Sequence, residues 1–254
     1  MKRVIAIILS IVMVLSLTAC NENKTIEIDG LKFTLLDDGT YSVEAGTNID
    51  DYKDIVIPSK VNGIAVSVIA NYAFEKGENI QTVTIENGIT SIGEYAFENC
   101  ENLTSITLPN TLTTIGHQAF DSCESLTSIN VPDNVTTISA YCFSDCINLT
   151  NVNLPSNLIT IAYCAFSGCK SIANITIPKS TKVIYAEAFA NCTSLKSIDI
   201  PGTIEFIGRP TPFTNIEGLE INFSGTEMQL KGAWSTKMEL QNKQVVHCTD
   251  GDLT

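Results

Sequence analysis

Apolar residues recur through the middle of the chain at one fixed interval. Phenylalanine stands at Phe74, Phe97, Phe120, Phe143, Phe166 and Phe189, and isoleucine at Ile69, Ile92, Ile115, Ile138, Ile161, Ile184 and Ile207. Each column advances by 23 residues. Proline keeps the same step at Pro109, Pro132, Pro155, Pro178 and Pro201, and cysteine at Cys100, Cys123, Cys146, Cys169 and Cys192. Independent columns that share one period mark a repeat protein, and the repeat dictates the architecture.

One unit, residues 91–113, shows what each coil does. Leu103, Ile106 and Leu108 are followed by Pro109. The alternation at Ile106 and Leu108 predicts a short strand with one buried face. Proline lacks the N–H that a ladder needs, so Pro109 ends the strand. Ile92 and the Ala96-Phe97 pair turn other apolar faces inward on the opposite side of the coil. A single unit cannot bury these faces, whereas stacked units align equal columns into a continuous core. With strands about 4.8 Å apart, seven units span only about 35 Å. The expected fold is a solenoid with a parallel β-sheet on one face and short turns, irregular or helical segments on the other.

The unit Ile92-Gly93-x-x-Ala96-Phe97-x-x-Cys100-x-x-Leu103-x-x-Ile106-x-Leu108-Pro109 and its copies resemble the BspA-like subfamily of leucine-rich-repeat proteins, found on bacterial surfaces. The resemblance covers about residues 50–223. It implies a solenoid of 23-residue leucine-rich repeats and adhesion to host proteins or other cells. The last unit departs from the pattern. Thr211-Pro212-Phe213 stands in place of Ala-Phe, Asn215 reads as the replacement for the cysteine, and an extra residue shifts Leu219 by one. Near the start, Ile55-Val56-Ile57-Pro58 is a strand unit followed by an insertion up to Val66.

An open solenoid exposes its core and strand edges, so both ends need caps. Segments 32–36 and 41–44 flank Asp37-Asp38-Gly39-Thr40 and predict a β-hairpin. At the other end Trp234 and segment 244–248 offer apolar cover, and residues 247–251 read as a closing strand and turn.

The N-terminus reads as a targeting segment. Lys2 and Arg3 precede an apolar run, residues 4–17, and then Leu17-Thr18-Ala19-Cys20. This charge, apolar length and small-residue site predict a signal peptide. The run is shorter than the roughly 20 residues of a membrane-spanning helix. The four residues ending in Cys20 resemble the lipobox of bacterial lipoproteins. That resemblance implies a diacylglyceryl group on Cys20 and a membrane anchor; an ordinary signal peptide with an incidental cysteine is the alternative. The expected organisation is a signal peptide over 1–19, lipidated Cys20 and tether over 20–24, an N-terminal β cap over 25–50, the solenoid over 51–223 and a C-terminal cap over 224–254. The expected location is the extracellular or periplasmic face of the cell membrane. Residues 21–24 alone reach about 14 Å, which holds the domain close to the membrane.

Charge and chemistry narrow the function. The net charge of -13 repels phosphate backbones, so nucleic acid is not an expected partner. Gly-x-Ser-x-Gly, a phosphate-binding glycine loop and His-Glu-x-x-His are all absent, and His117 and His247 are the only histidines. No catalytic residue, cofactor or metal is expected. The five periodic cysteines read as small buried thiols, too widely spaced in a stack for disulfides. Cys142 and Cys164 lie off that ladder; a disulfide between them and simple core packing both remain open.

Binding is then the expected activity, with a protein or a glycan as ligand. The residues that flank each buried strand position point outward. They are Thr82 and Thr84, Ser105 and Thr107, Ser128 and Asn130, Asn151 and Asn153, Asn174 and Thr176, Ser197 and Asp199. This array of hydroxyls and amides is the candidate ligand-binding face. Glu75, Glu98 and Asp121 form one acidic column, and Glu78, Glu101 and Glu124 another. These read as a solvated rim, with a weak calcium site or a basic partner as alternatives. Tyr72, Tyr95 and Tyr141 share a column that reads as half-buried packing. Triplets such as Asn102-Leu103-Thr104 match a glycosylation sequon because the structural unit repeats.

Overall fold

The computed structural model describes residues 24–234 and 243–253. The expected signal peptide, Cys20 and most of the expected tether lie outside the described residues. The chain forms a parallel β-solenoid of about 9 turns of roughly 23 residues. The strands of its broad face are Asp54–Ile57, Thr82–Ile85, Ser105–Thr107, Ser128–Asn130, Asn151–Asn153, Asn174–Thr176, Ser197–Ile200, Glu220–Phe223 and Val245–Cys248. Where neighbouring coils pair, they do so in parallel at the repeat register: Val83 opposite Ile106, Ile129 opposite Val152, Ile175 opposite Ile198.

The opposite side carries a second parallel column. Its strands have two residues each: Ser91–Ile92, Thr114–Ile115, Thr137–Ile138, Thr160–Ile161, Val183–Ile184 and Phe206–Ile207. Tight turns around the Ala-Phe pair follow each one. Among the described residues the only α-helix is Glu227–Ala233, in the C-terminal cap. The reason is geometric. An α-helix is about 10 Å wide with its side chains, twice the strand spacing, so coils stacked at sheet distance on both sides have no room for one.

The core repeats the same spacing. Phe74 to Phe213 form a column of stacked, fully buried rings, with centroids 5.1 Å apart at Phe74–Phe97 and 6.0 Å at Phe189–Phe213. Each periodic cysteine is also fully buried and plays a second part. Its Sγ donates to the carbonyl of the phenylalanine in the preceding coil, from Cys100 to Phe74 O at 3.1 Å through Cys192 to Phe166 O at 3.1 Å. The thiol is therefore a hydrogen-bond donor as well as an apolar filler.

The degenerate last unit corrects one sequence assignment. Asn215 does not replace the cysteine. It aligns with Asn191, both at left-handed φ (61° and 60°), and Ile216 fills the buried cysteine position. The extra residue lies before Phe213, which shifts the turn by one. The buried amide of Gln244 then donates to Phe213 O (2.9 Å) and Ile216 O (3.1 Å), supplying donors that the cysteine column no longer provides.

Both ends are covered. Leu31–Leu35 and Tyr41–Ala45 form the expected hairpin, with Gly39 at φ +83° in its turn. A third strand, Thr25–Ile28, adds to its edge. The insertion is itself a small hairpin, Lys60–Val61 against the start of Ile64–Ile69. At the far end Thr226 and Gln229 make a capping box for the helix, Trp234 is buried, and Val245–Cys248 turns back as Gly251–Leu253. One core position is frustrated. The column Ile89, Leu112, Val135, Leu158, Thr181, Ile204 is buried throughout, and Thr181 Oγ1 has no hydrogen-bond partner. An unsatisfied buried hydroxyl costs about 1–3 kcal/mol. Thr181→Val should therefore raise the urea-unfolding free energy by about 1 kcal/mol; a loss of stability would show that the hydroxyl is satisfied.

Candidate functional site

The broad strand column places the expected face as a two-row array. The buried residue of each strand faces the core, and its two neighbours face solvent. Of the twelve expected residues, Thr82 and Ser197 are partly buried and the other ten are exposed. Parallel pairing aligns them row by row, Ser128 beside Asn151 and Asn130 beside Asn153. The side chains of Thr84, Ser105, Thr107, Ser128, Asn130 and Asn153 make no hydrogen bond among the described residues. Others are already engaged: Thr82 Oγ1 donates to Asp54 Oδ1 at 2.7 Å, and Asn151 Nδ2 to Thr150 Oγ1 at 3.2 Å.

The array runs further than the sequence pattern indicates. Glu220 and Asn222 continue the two rows, and both are exposed. Their register is legible from the spacing to Ser197 and Asp199, but the added residue near Phe213 hides it. Asp199 is gripped from both sides, by Thr176 Oγ1 at 3.4 Å and Asn222 Nδ2 at 2.9 Å. Here the face dips into a depression of about 410 Å³, whose lining includes Thr176, Asp199, Asn222, His247, Ile200 and Phe223. An aligned array of this kind can hydrogen-bond an extended polar ligand without rearrangement.

The acidic columns are also where expected. Burial first, then the charges of Asp121 and Glu75, raise the carboxyl of Glu98 above its ordinary range. Lys76 meets Glu75 at 2.7 Å. Among the described residues no three His, Cys, Asp or Glu side chains come together as a metal-ligand set. Asn102, the sequon-like residue, serves the fold, because its Nδ2 donates to Glu78 O of the preceding coil at 2.7 Å.

Tyr95 and Tyr141 are half-buried, as expected, whereas Tyr72 is exposed. Tyr72 is 54% exposed and stacks on Tyr95 at 4.8 Å. His117 and Tyr163 join the same row, which their sequence positions, one residue off the period, did not reveal.

The seven buried cysteines form no disulfide, Cys142 and Cys164 included. Cys142 occupies the position of Ala96, Ala119, Ala165 and Ala188, so it is a substitution within the core. Burial pushes the Cys100 and Cys192 thiols up to about 12, and the other buried thiols upward as well. Only the thiolate is reactive. In the native protein the seven buried cysteines should resist a thiol reagent, and they should react on unfolding. Rapid native labelling of Cys142 or Cys164 would contradict the packing.

Taken together, the coil, its paired strand columns and its polar outer rows define a leucine-rich-repeat solenoid. The family described as "BspA type Leucine rich repeat region (6 copies)" matches residues 44–146, 67–182 and 113–231, and the chain belongs to it. Two solved structures are similar in fold. One is a leucine-rich repeat protein from Bacteroides ovatus ATCC 8483, with 22% identity, TM-score 0.55, and 80% of this chain aligned to 65% of that one. The chain thus spans slightly less than two thirds of that protein. The other is the T. pallidum leucine rich repeat protein TpLRR, with 23% identity, TM-score 0.53, and coverage of 78% and 85% respectively. No curated protein matches the chain significantly.

Proposed function

We propose that the chain is a non-catalytic, lipid-anchored cell-surface protein whose solenoid binds a protein or glycan ligand through the exposed sheet. The observation that carries this reading is the aligned polar array, most of it exposed and much of it without hydrogen-bond partners among the described residues. A side chain that holds no internal hydrogen bond can give its full capacity to a ligand. Membership of the BspA-type family supports a role in interaction at a cell surface. Residues Cys20 and the short segment after it supply the anchor in this reading. Among the described residues no helix is long and apolar enough to cross a membrane.

A second reading is a membrane-proximal scaffold that binds the cell's own wall polymers or proteins. It is favoured by the tether: the first cap strand begins at Thr25, and the few residues after Cys20 reach only about 14 Å.

One experiment separates the two. The full chain and an Asn151→Arg, Asn153→Arg variant are offered to immobilised host matrix and mucin in one arm, and to the cell's own envelope extract in the other. Both asparagines are exposed, so the variant should melt as the native protein does. Capture from the host arm that the variant loses establishes an adhesin. Capture from the envelope arm alone assigns a scaffold. Capture unaffected by the variant removes this face as the site.

A further inference from the structure

A second surface lies at the corner where each two-residue strand turns toward the Ala-Phe pair. There the rings of Tyr72, Tyr95, His117, Tyr141 and Tyr163 follow one another across successive coils, in steps of 4.8, 5.4, 5.7 and 5.4 Å. The first pair is parallel, and the other contacts are edge-to-face. Tyr72 is 54% exposed and Tyr163 39%. Backbone bonds between coils fix the row, with Tyr72 N donating to Glu94 O, Tyr95 N to His117 O and Tyr141 N to Tyr163 O.

The buried core does not account for these rings. Tyr72, Tyr95 and Tyr141 sit at φ 59°, 58° and 55°, a left-handed conformation that glycine or asparagine adopts at lower cost. The same corner is lined with carboxylates. Glu94 and Glu98 act on the Tyr95 phenol, Glu98 neighbours His117, and Glu187 accepts the Tyr163 hydroxyl at 2.9 Å. The aromatic face attracts cations through its quadrupole, and carboxylates beside it add charge-assisted hydrogen bonds.

We propose that this aromatic, acid-flanked stripe docks a cationic polypeptide segment that carries arginine or lysine. Charge complementarity selects that occupant. The chain is at -13 overall, and the stripe joins ring faces to carboxylates, the two groups that a guanidinium engages together. Its length suits an extended segment of about six residues. The stripe is separate from the polar sheet rows, so the two surfaces can be tested independently.

The test uses the full-length chain and a short fluorescent peptide of alternating arginine and glycine, read by anisotropy at low and at physiological salt. The same peptide with glutamine in place of arginine is the control ligand. Tyr95→Asn with Tyr141→Asn removes two rings and keeps a residue type suited to the left-handed backbone. Glu94→Gln with Glu98→Gln removes two nearby charges, and Glu101→Gln with Glu124→Gln removes two from the other acidic column. The expected result is arginine-peptide binding that weakens about tenfold in the tyrosine variant. It should also weaken in the Glu94, Glu98 variant, and clearly less in the Glu101, Glu124 variant. Should the tyrosine variant lose its melting transition, Tyr72→Asn, at the most exposed ring of the row, replaces it. Undiminished binding without the rings overturns the proposal. So does an equal loss in both charge variants, which would mean bulk charge alone. Ring-dependent binding of neutral oligosaccharides, or ring-dependent self-association, in place of peptide binding also overturns it and gives the stripe another occupant.

Discussion

Every feature of this protein follows from the rise of one coil on the next. Backbone hydrogen bonds between coils set that rise: Phe74 N donates to Ala96 O, Phe97 N to Ala119 O and Phe120 N to Cys142 O at 2.7–2.9 Å. Once coils sit one strand spacing apart, each side chain lies directly over its counterpart 23 residues away. Only groups that tolerate a copy of themselves at that distance can occupy a column. Flat rings do so by stacking. Buried thiols do so by donating to the phenylalanine carbonyl one coil back. Asparagines such as Asn102 and Asn148 do so by reaching the preceding backbone. Carboxylates tolerate it less well: burial first, and then the charges of Asp121 and Glu75, raise the Glu98 carboxyl above its ordinary range.

The same constraint shapes the surfaces available for binding. Whatever faces outward in one coil is repeated in line in the next, so the solenoid presents rows, with the depression near Asp199 lying along them. The sheet presents rows of hydroxyls and amides on a rigid backbone. The corner near Tyr95 presents a row of rings with carboxylates beside it. Rows suit extended ligands, which match the repeat with a repeat of their own. They also divide recognition among many modest contacts, so single substitutions inside a row should weaken binding by steps.

How much of this was legible in the sequence depended on whether a feature kept the period. Phe, Ile and Cys columns did, and they revealed the coil, the core and the outward rows. The second strand column kept the period through its isoleucines, but two residues such as Thr137 and Ile138 are too few to show the alternation of a strand, so it read only as an inward apolar face. His117 and Tyr163 stand one residue away from the register of Tyr95 and Tyr141, so the sequence showed a column of three tyrosines and not the continuous aromatic stripe. Asn215 fell at the cysteine's count only because an inserted residue had moved the slot to Ile216. The edge strand Thr25–Ile28 is mostly exposed and carries little apolar pattern. Gln244 has no counterpart in other coils, and its role emerges only when the last coil's carbonyls are in view.

The most direct test of the central claim is the unfolding of Phe143→Ala by urea, followed by hydrogen exchange in coils on both sides of the site. Phe143 is fully buried between Phe120 and Phe166, at 5.5 and 5.4 Å. If the stacked column holds the coils together, the substitution should cost about 3–5 kcal/mol. Protection should then fall together in the coils of Phe97 and Phe189. A loss below about 1 kcal/mol, the cost of an ordinary single substitution, or a loss of protection confined to one coil, would contradict it.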